Sequence, residues 1–126
     1  KEARLLQPVA LEDVITDHDQ RVHPTAGWRQ IHCKVLLERV LPRRLPADAL
    51  TLLAITNEDL YPGDDWNYVF GQASLRNRVG VWSMKRLGDP ETEYDVCLKR
   101  TLRVASHETG HMFGMRHCTA YECNMG

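Results

Sequence analysis

His107-Glu108-Thr109-Gly110-His111-Met112-Phe113-Gly114-Met115-Arg116-His117 is the stretch that decides how the rest of the chain is read. On a helix, residues four apart share a face, so His107 and His111 present two imidazoles to one point. Zinc accepts neutral histidine nitrogen at about 2.0–2.1 Å, and catalytic sites usually keep three protein ligands plus one open position. His117 lies six residues beyond His111 and cannot reach that point from a continuing helix. Gly114 supplies the break, because a residue without Cβ takes positive φ readily and turns the chain back. Glu108, beside the first ligand, is placed to take the proton of the water that the metal activates. A bare HExxH recurs by chance, but the extension through Gly114 to a third histidine makes coincidence remote.

The other histidines, His18, His23 and His32, have no ligand spacing and read as structural or solvated. Cys118 follows the third histidine directly, and Cys123 comes five positions later. On residue chemistry alone they are half of a metal site, a disulfide, or free thiols, since a closed structural zinc site needs four ligands. Cys33 and Cys97 fall on expected helices and read as small buried hydrophobes.

Outside that stretch the chain is ordinary. It has 126 residues, 43% hydrophobic and 26% charged, which suits one domain over 1–126 with a real core. Sixteen basic against seventeen acidic residues give a net charge of -1, with no electrostatic reason to favour nucleic acid or an anionic membrane. The longest apolar run, residues 49–55, is far short of the roughly 20 needed for a transmembrane helix. Four cysteines are too few for a disulfide scaffold. The domain is expected to be incomplete at both ends, since it begins at Lys1 and not at Met and stops just after the motif; the observed start carries no long apolar segment of the signal-peptide kind.

Periodicity predicts a helix over residues 27–41, from Trp28, Ile31, Val35 and Leu36, stopped by Pro42. Residues 11–17 suggest a short helix or strand, and Asp17-His18-Asp19 a turn. Residues 49–56 read as a buried central strand, 57–65 as a loop, and 66–70 and 79–84 as further strands. A second helix is expected from about Asp95, with Leu98, Leu102, Ala105, Thr109 and Met112 on one stripe. The resulting fold class is α/β (α+β): a small mixed sheet, an active-site helix and a backing helix.

The run from His107 to His117, then Cys118, Cys123 and Met125, resembles the archaemetzincin (archaelysin) family of metzincin-type zinc peptidases. Asp59-Leu60-Tyr61-Pro62, Trp66 through Leu75, and Val79-Gly80-Val81-Trp82-Ser83 are similar to it as well, as is Arg29-Gln30 at the opening of the first expected helix. The resemblance implies a zincin-like fold, catalytic zinc on His107, His111 and His117, and Glu108 as general base. It also implies that Met125 forms the apolar floor called the Met-turn, and that Cys118 and Cys123 help hold a second, structural zinc. The family draws the other two ligands of that site from a later Cys pair, which this sequence does not reach, so the second site is expected to be incomplete.

The leading functional expectation is a zinc-dependent peptidase acting on a peptide or protein substrate laid along a sheet edge. Residues 79–84 are the candidate edge, with Trp82 or Met84 beside a side-chain pocket, although for Trp82 the sheet core is the favoured reading. The alternative is a non-catalytic zinc module that binds a partner; a carboxylate at Glu108 has no use there. Nucleic-acid binding is weak, since Arg43-Arg44 and Arg76 to Arg78 are short runs in a chain of negative charge. A monomer in the cytoplasm is expected, from the absent leader and from thiols suited to metal.

Overall fold

The computed structural model describes residues 2–126. Six short strands form two three-stranded mixed sheets. In the first, β2 (Arg29–His32) lies between β1 (Gln20–Val22), antiparallel to it, and β4 (Asp59–Tyr61), parallel to it. In the second, β6 (Val79–Ser83) lies between β3 (Leu52–Thr56), parallel, and β5 (Gly71–Ser74), antiparallel. A short helix α1 (Cys33–Val35) runs into a π-helical stretch, Leu36–Val40, and a long helix α2 (Tyr94–Met112) covers β5 and β6. This is the mixed α/β class that the sequence predicts.

The expected helix over 27–41 is a correction in its first half, since Arg29–His32 is strand. Gln30 and Ile31 are both fully buried, as befits a central strand covered on both faces. A strand buried on both faces shows no period of two, so Trp28 and Ile31 mimic helical spacing. Its partner β4 lies in the polar, turn-rich stretch read as the loop 57–65. The expected central strand is also displaced: β3 is an edge with Ile55 59% exposed, whereas all five residues of β6 are buried. Residues 66–70 contribute only one isolated bridge, Val69 to Leu60, and the strand begins instead at Gly71. Residues 11–13 and 17–19 are single 3-10 turns.

The core gathers Ile15, Ile31, Leu36, Leu37, Val40, Leu60, Val79 and Val81. Cys33 and Cys97 are both buried, in keeping with their reading as small hydrophobes. Burial pushes the Cys33 thiol up to about 12, which keeps it protonated and inert. Helix α2 does not use the expected stripe in its first half, because Leu98 and Leu102 are exposed while Cys97, Glu108, Gly110 and Met112 are buried. The two sheets are tied by one buried carboxylate. Asp59 of β4 accepts from Trp28 Nε1, Gln30 Nε2 and the Arg86 guanidinium, which follows β6.

Candidate metal centre

Helix α2 delivers His107, Glu108 and His111 within its last two turns. Gly114 then takes φ +84, and Met115 N–H bonds back to the Gly110 carbonyl. That reversal returns the chain over the helix end and sets His117 beside the other two imidazoles, as the spacing predicts. The three Nε2 atoms lie 3.0, 3.2 and 3.3 Å apart. Three nitrogens held tetrahedrally about 2.0–2.1 Å from one zinc would sit about 3.3 Å apart. The observed triangle therefore has the size of a zinc ligand set.

The far ring nitrogens are fixed as well. His107 Nδ1 lies 2.7 Å from the Asn124 carbonyl, and His111 Nδ1 lies 2.8 Å from the Met115 carbonyl. A carbonyl only accepts, so each Nδ1 carries the proton and donates it. Each Nε2 then keeps its lone pair for a metal. Sequence reading misses these two carbonyls, because any residue supplies one. His23 and His32 do the opposite: their Nδ1 atoms accept backbone N–H from Ala26 and Lys34, so they are structural, as expected.

Glu108 is 5% exposed and lies against β5. Burial raises its carboxyl above the usual range, against the pull of His107 and His111. Its Oε2 is buried without a hydrogen-bond partner among the described residues. An orphaned buried oxygen beside three convergent imidazoles fits a site meant to hold a metal and a polar ligand. The cleft in front of the triad has a volume of about 570 Å³. Gly71, Gln72 and Ala73 of β5 form one wall, and Met115 and Arg116 of the tail form another.

Met125 is buried, and its Sδ sits 2.6 Å from where a Cβ on Gly110 would be, so it packs directly beneath the histidine-bearing turn. Cys118 and Cys123 are brought together as free thiols, and Cys118 N–H bonds the Met125 carbonyl. The Tyr121 and Ala120 backbone amides and the Cys123 thiol hold the Cys118 thiol below its ordinary range. Among the described residues, only the three histidines form a group of three or more convergent metal donors.

The expected substrate edge needs correction. β6 is the central strand, and Trp82 and Met84 do not line the cleft; Trp82 is 6% exposed, in the core. The edge that borders the triad is β5.

The family model for Peptidase family M54 matches residues 44–126. Human Archaemetzincin-2 is 34% identical over an alignment of 151 positions that takes in 97% of this chain and 41% of the relative. The archaemetzincin of Methanopyrus kandleri is 45% identical over 75 residues, 59% of this chain and 41% of that one. The chain thus spans about two fifths of the length of these curated relatives. The crystal structure of the Methanopyrus kandleri archaemetzincin superposes with a TM-score of 0.67 at 35% identity, covering 88% of this chain and 57% of that chain. A zinc-dependent peptidase from Methanocorpusculum labreanum shares the fold, with a TM-score of 0.64 at 24% identity, over 82% of this chain and 65% of that one. A family match spanning residues 44–126, more than half of the chain, with zinc the cofactor it supports and a histidine triad able to hold it, means that this chain belongs to Peptidase family M54, the archaemetzincins, a family of zinc metallopeptidases.

Proposed function

We propose that residues 1–126 form one zinc-peptidase domain that hydrolyses peptide bonds, with His107, His111 and His117 as metal ligands and Glu108 as general base. The observation that carries this reading is the pairing of a zinc-sized Nε2 triangle with the unpartnered, buried Glu108 Oε2 in one cleft. A zinc ion held there supplies a Lewis acid that polarises the scissile carbonyl and makes water a stronger acid. Glu108 takes the proton as water adds to the carbonyl carbon, then gives it to the departing amine as the C–N bond breaks. Burial of Glu108 keeps bulk water from competing for that proton. The outer edge of β5 offers backbone groups for a substrate strand, and it borders both Glu108 and the triad. A zinc module without catalysis would leave the Glu108 carboxylate buried to no purpose, at an energetic cost.

Cys118 and Cys123 remain a thiol pair suited to a soft metal, and two thiolates alone make a weaker site than the four of a closed one. Among the described residues no helix is long and apolar enough to cross a membrane.

The test is a peptide-library cleavage assay on wild type and Glu108→Gln, with zinc content measured on both. Equal zinc, with cleavage by wild type and little by the variant, supports the reading. Equal cleavage by both would remove Glu108 from the role.

A further inference from the structure

Gly71 opens β5 and has no conformational need to be glycine, since its φ is not among the positive ones. What it lacks is room. A Cβ built there would meet Glu108 Cγ at 2.9 Å, Glu108 Oε1 at 2.9 Å and the Val81 carbonyl oxygen at 2.9 Å. Ordinary contact begins at 3.4 Å, so each neighbour would have to retreat by about half an ångström. Gly114 is the contrasting case, with φ +84 and nothing within 4 Å of its would-be Cβ.

Neither neighbour retreats freely. Val81 is in the fully buried central strand, paired with Gln72 of β5. Glu108 is 5% exposed and its stem is fixed by α2, which packs on β5. We propose that Gly71 is a positioning residue for Glu108: the bare Cα of β5 forms the seat against which the carboxylate is set beside the histidine triad. The inference rests on the peptidase reading for its consequence in catalysis, but not for the contact itself. A misplacement of about 1 Å at a reacting group can cost about 10²-fold in rate.

The test is a double-substitution cycle with Gly71→Ala, Glu108→Ala and the pair, read by thermal unfolding of the zinc-free chain and by zinc content. Gly71→Ala should lower Tm by roughly 4–10 °C when Glu108 is present. The loss should shrink by half or more when Glu108→Ala has emptied the seat, leaving only the part owed to the Val81 carbonyl. Zinc content should be unchanged by Gly71→Ala, since the imidazoles are not displaced. Equal Tm losses in both backgrounds would overturn the proposal. If Gly71→Ala alone fails to fold, recovery of folding in the pair supports the seat, and failure of both overturns it. Where wild type cleaves peptide, Gly71→Ala, which shifts the carboxylate by about half an ångström, should lower kcat about 10-fold with KM nearly unchanged; a change confined to KM would count against positioning. A wild type that cleaves nothing removes the peptidase reading and leaves the Tm cycle to decide the seat.

Discussion

Asp59→Ala should be among the most damaging single substitutions away from the cleft. The carboxylate is fully buried and accepts four hydrogen bonds, from Trp28 Nε1 at 3.0 Å, Gln30 Nε2 at 2.9 Å, and Arg86 Nε and Nη2 at 2.9 Å each. Arg86 also stacks over Tyr68, 3.6 Å from the ring centroid, so the guanidinium is held in place from both sides. Removing one partner of a buried ion pair costs about 3–5 kcal/mol, because the other charge is left behind. The Arg86 side chain is 22% exposed and regains some water, which argues for about 3 kcal/mol. Gln30 keeps a second acceptor in the Asn67 carbonyl, whereas Trp28 Nε1 is stranded and adds about 1 kcal/mol. The sum is about 4 kcal/mol, a large part of the 5–15 kcal/mol typical of a domain. For a chain of this length that is a Tm loss of roughly 12–20 °C. Asp59→Asn keeps one acceptor and should lose about half as much. Urea and thermal unfolding followed by circular dichroism measure both. A loss below about 1 kcal/mol for Asp59→Ala would mean that the two sheets are not held together through this carboxylate.

Acid stability follows from the same network. Burial pushes the Asp59 carboxyl up, but Arg86, Gln30 and Trp28 outweigh it and hold it below its ordinary value. In Asp19 burial is likewise outweighed, by Thr16 and Arg39. Both groups therefore stabilise the fold fully above about pH 4, the unfolded value. That contribution is lost as pH falls through the lower folded values, so stability should drop below about pH 4, and less steeply in Asp59→Asn than in wild type. Arg86→Lys loses both the two-point contact and the planar stack on Tyr68, and should cost about 1–2 kcal/mol in urea unfolding despite the retained charge. Gly114→Ala forces a left-handed residue and should cost about 1–2 kcal/mol, while weakening zinc affinity, because the reversal it supports carries His117. Unchanged zinc affinity in a chelator titration would show that His117 does not depend on that turn.

The site was more legible than the fold, and the reason is local. His107, Glu108 and His111 are related by helix geometry, and Gly114 announces its own turn, so four spacings carry most of the site. The sheet order depends on pairings between distant segments. β2 and β4 pair across about thirty positions, and neither Arg29-Gln30-Ile31-His32 nor Asp59-Leu60-Tyr61 alternates cleanly, because buried Gln30 and Asp59 satisfy each other in the interior. A buried polar pair reads as two surface residues when its members are seen separately. The same blindness hid Gly71. Its importance comes from the Glu108 side chain, 37 residues later in the chain, and not from any turn of its own. The edge and centre of the second sheet were exchanged because residues 49–56 are the more apolar run, while β6 is central despite Gly80 and Ser83. Gly80 has a physical reason to be there, as Leu53 and Met112 approach its bare Cα from opposite elements.

Tightly bound zinc, counted by elemental analysis of the purified wild-type chain beside His111→Ala, tests the central claim most directly. His111 is the proposed ligand whose Nε2 lies closest to both of its fellows, at 3.0 and 3.2 Å, and whose Nδ1 is fixed by the Met115 carbonyl, so its loss should empty the site. The expected result is about one zinc per chain for wild type, in keeping with a three-histidine ligand set, and close to none for the variant. The same zinc content in both would mean that the metal is held elsewhere and that the histidine triangle is not the metal centre.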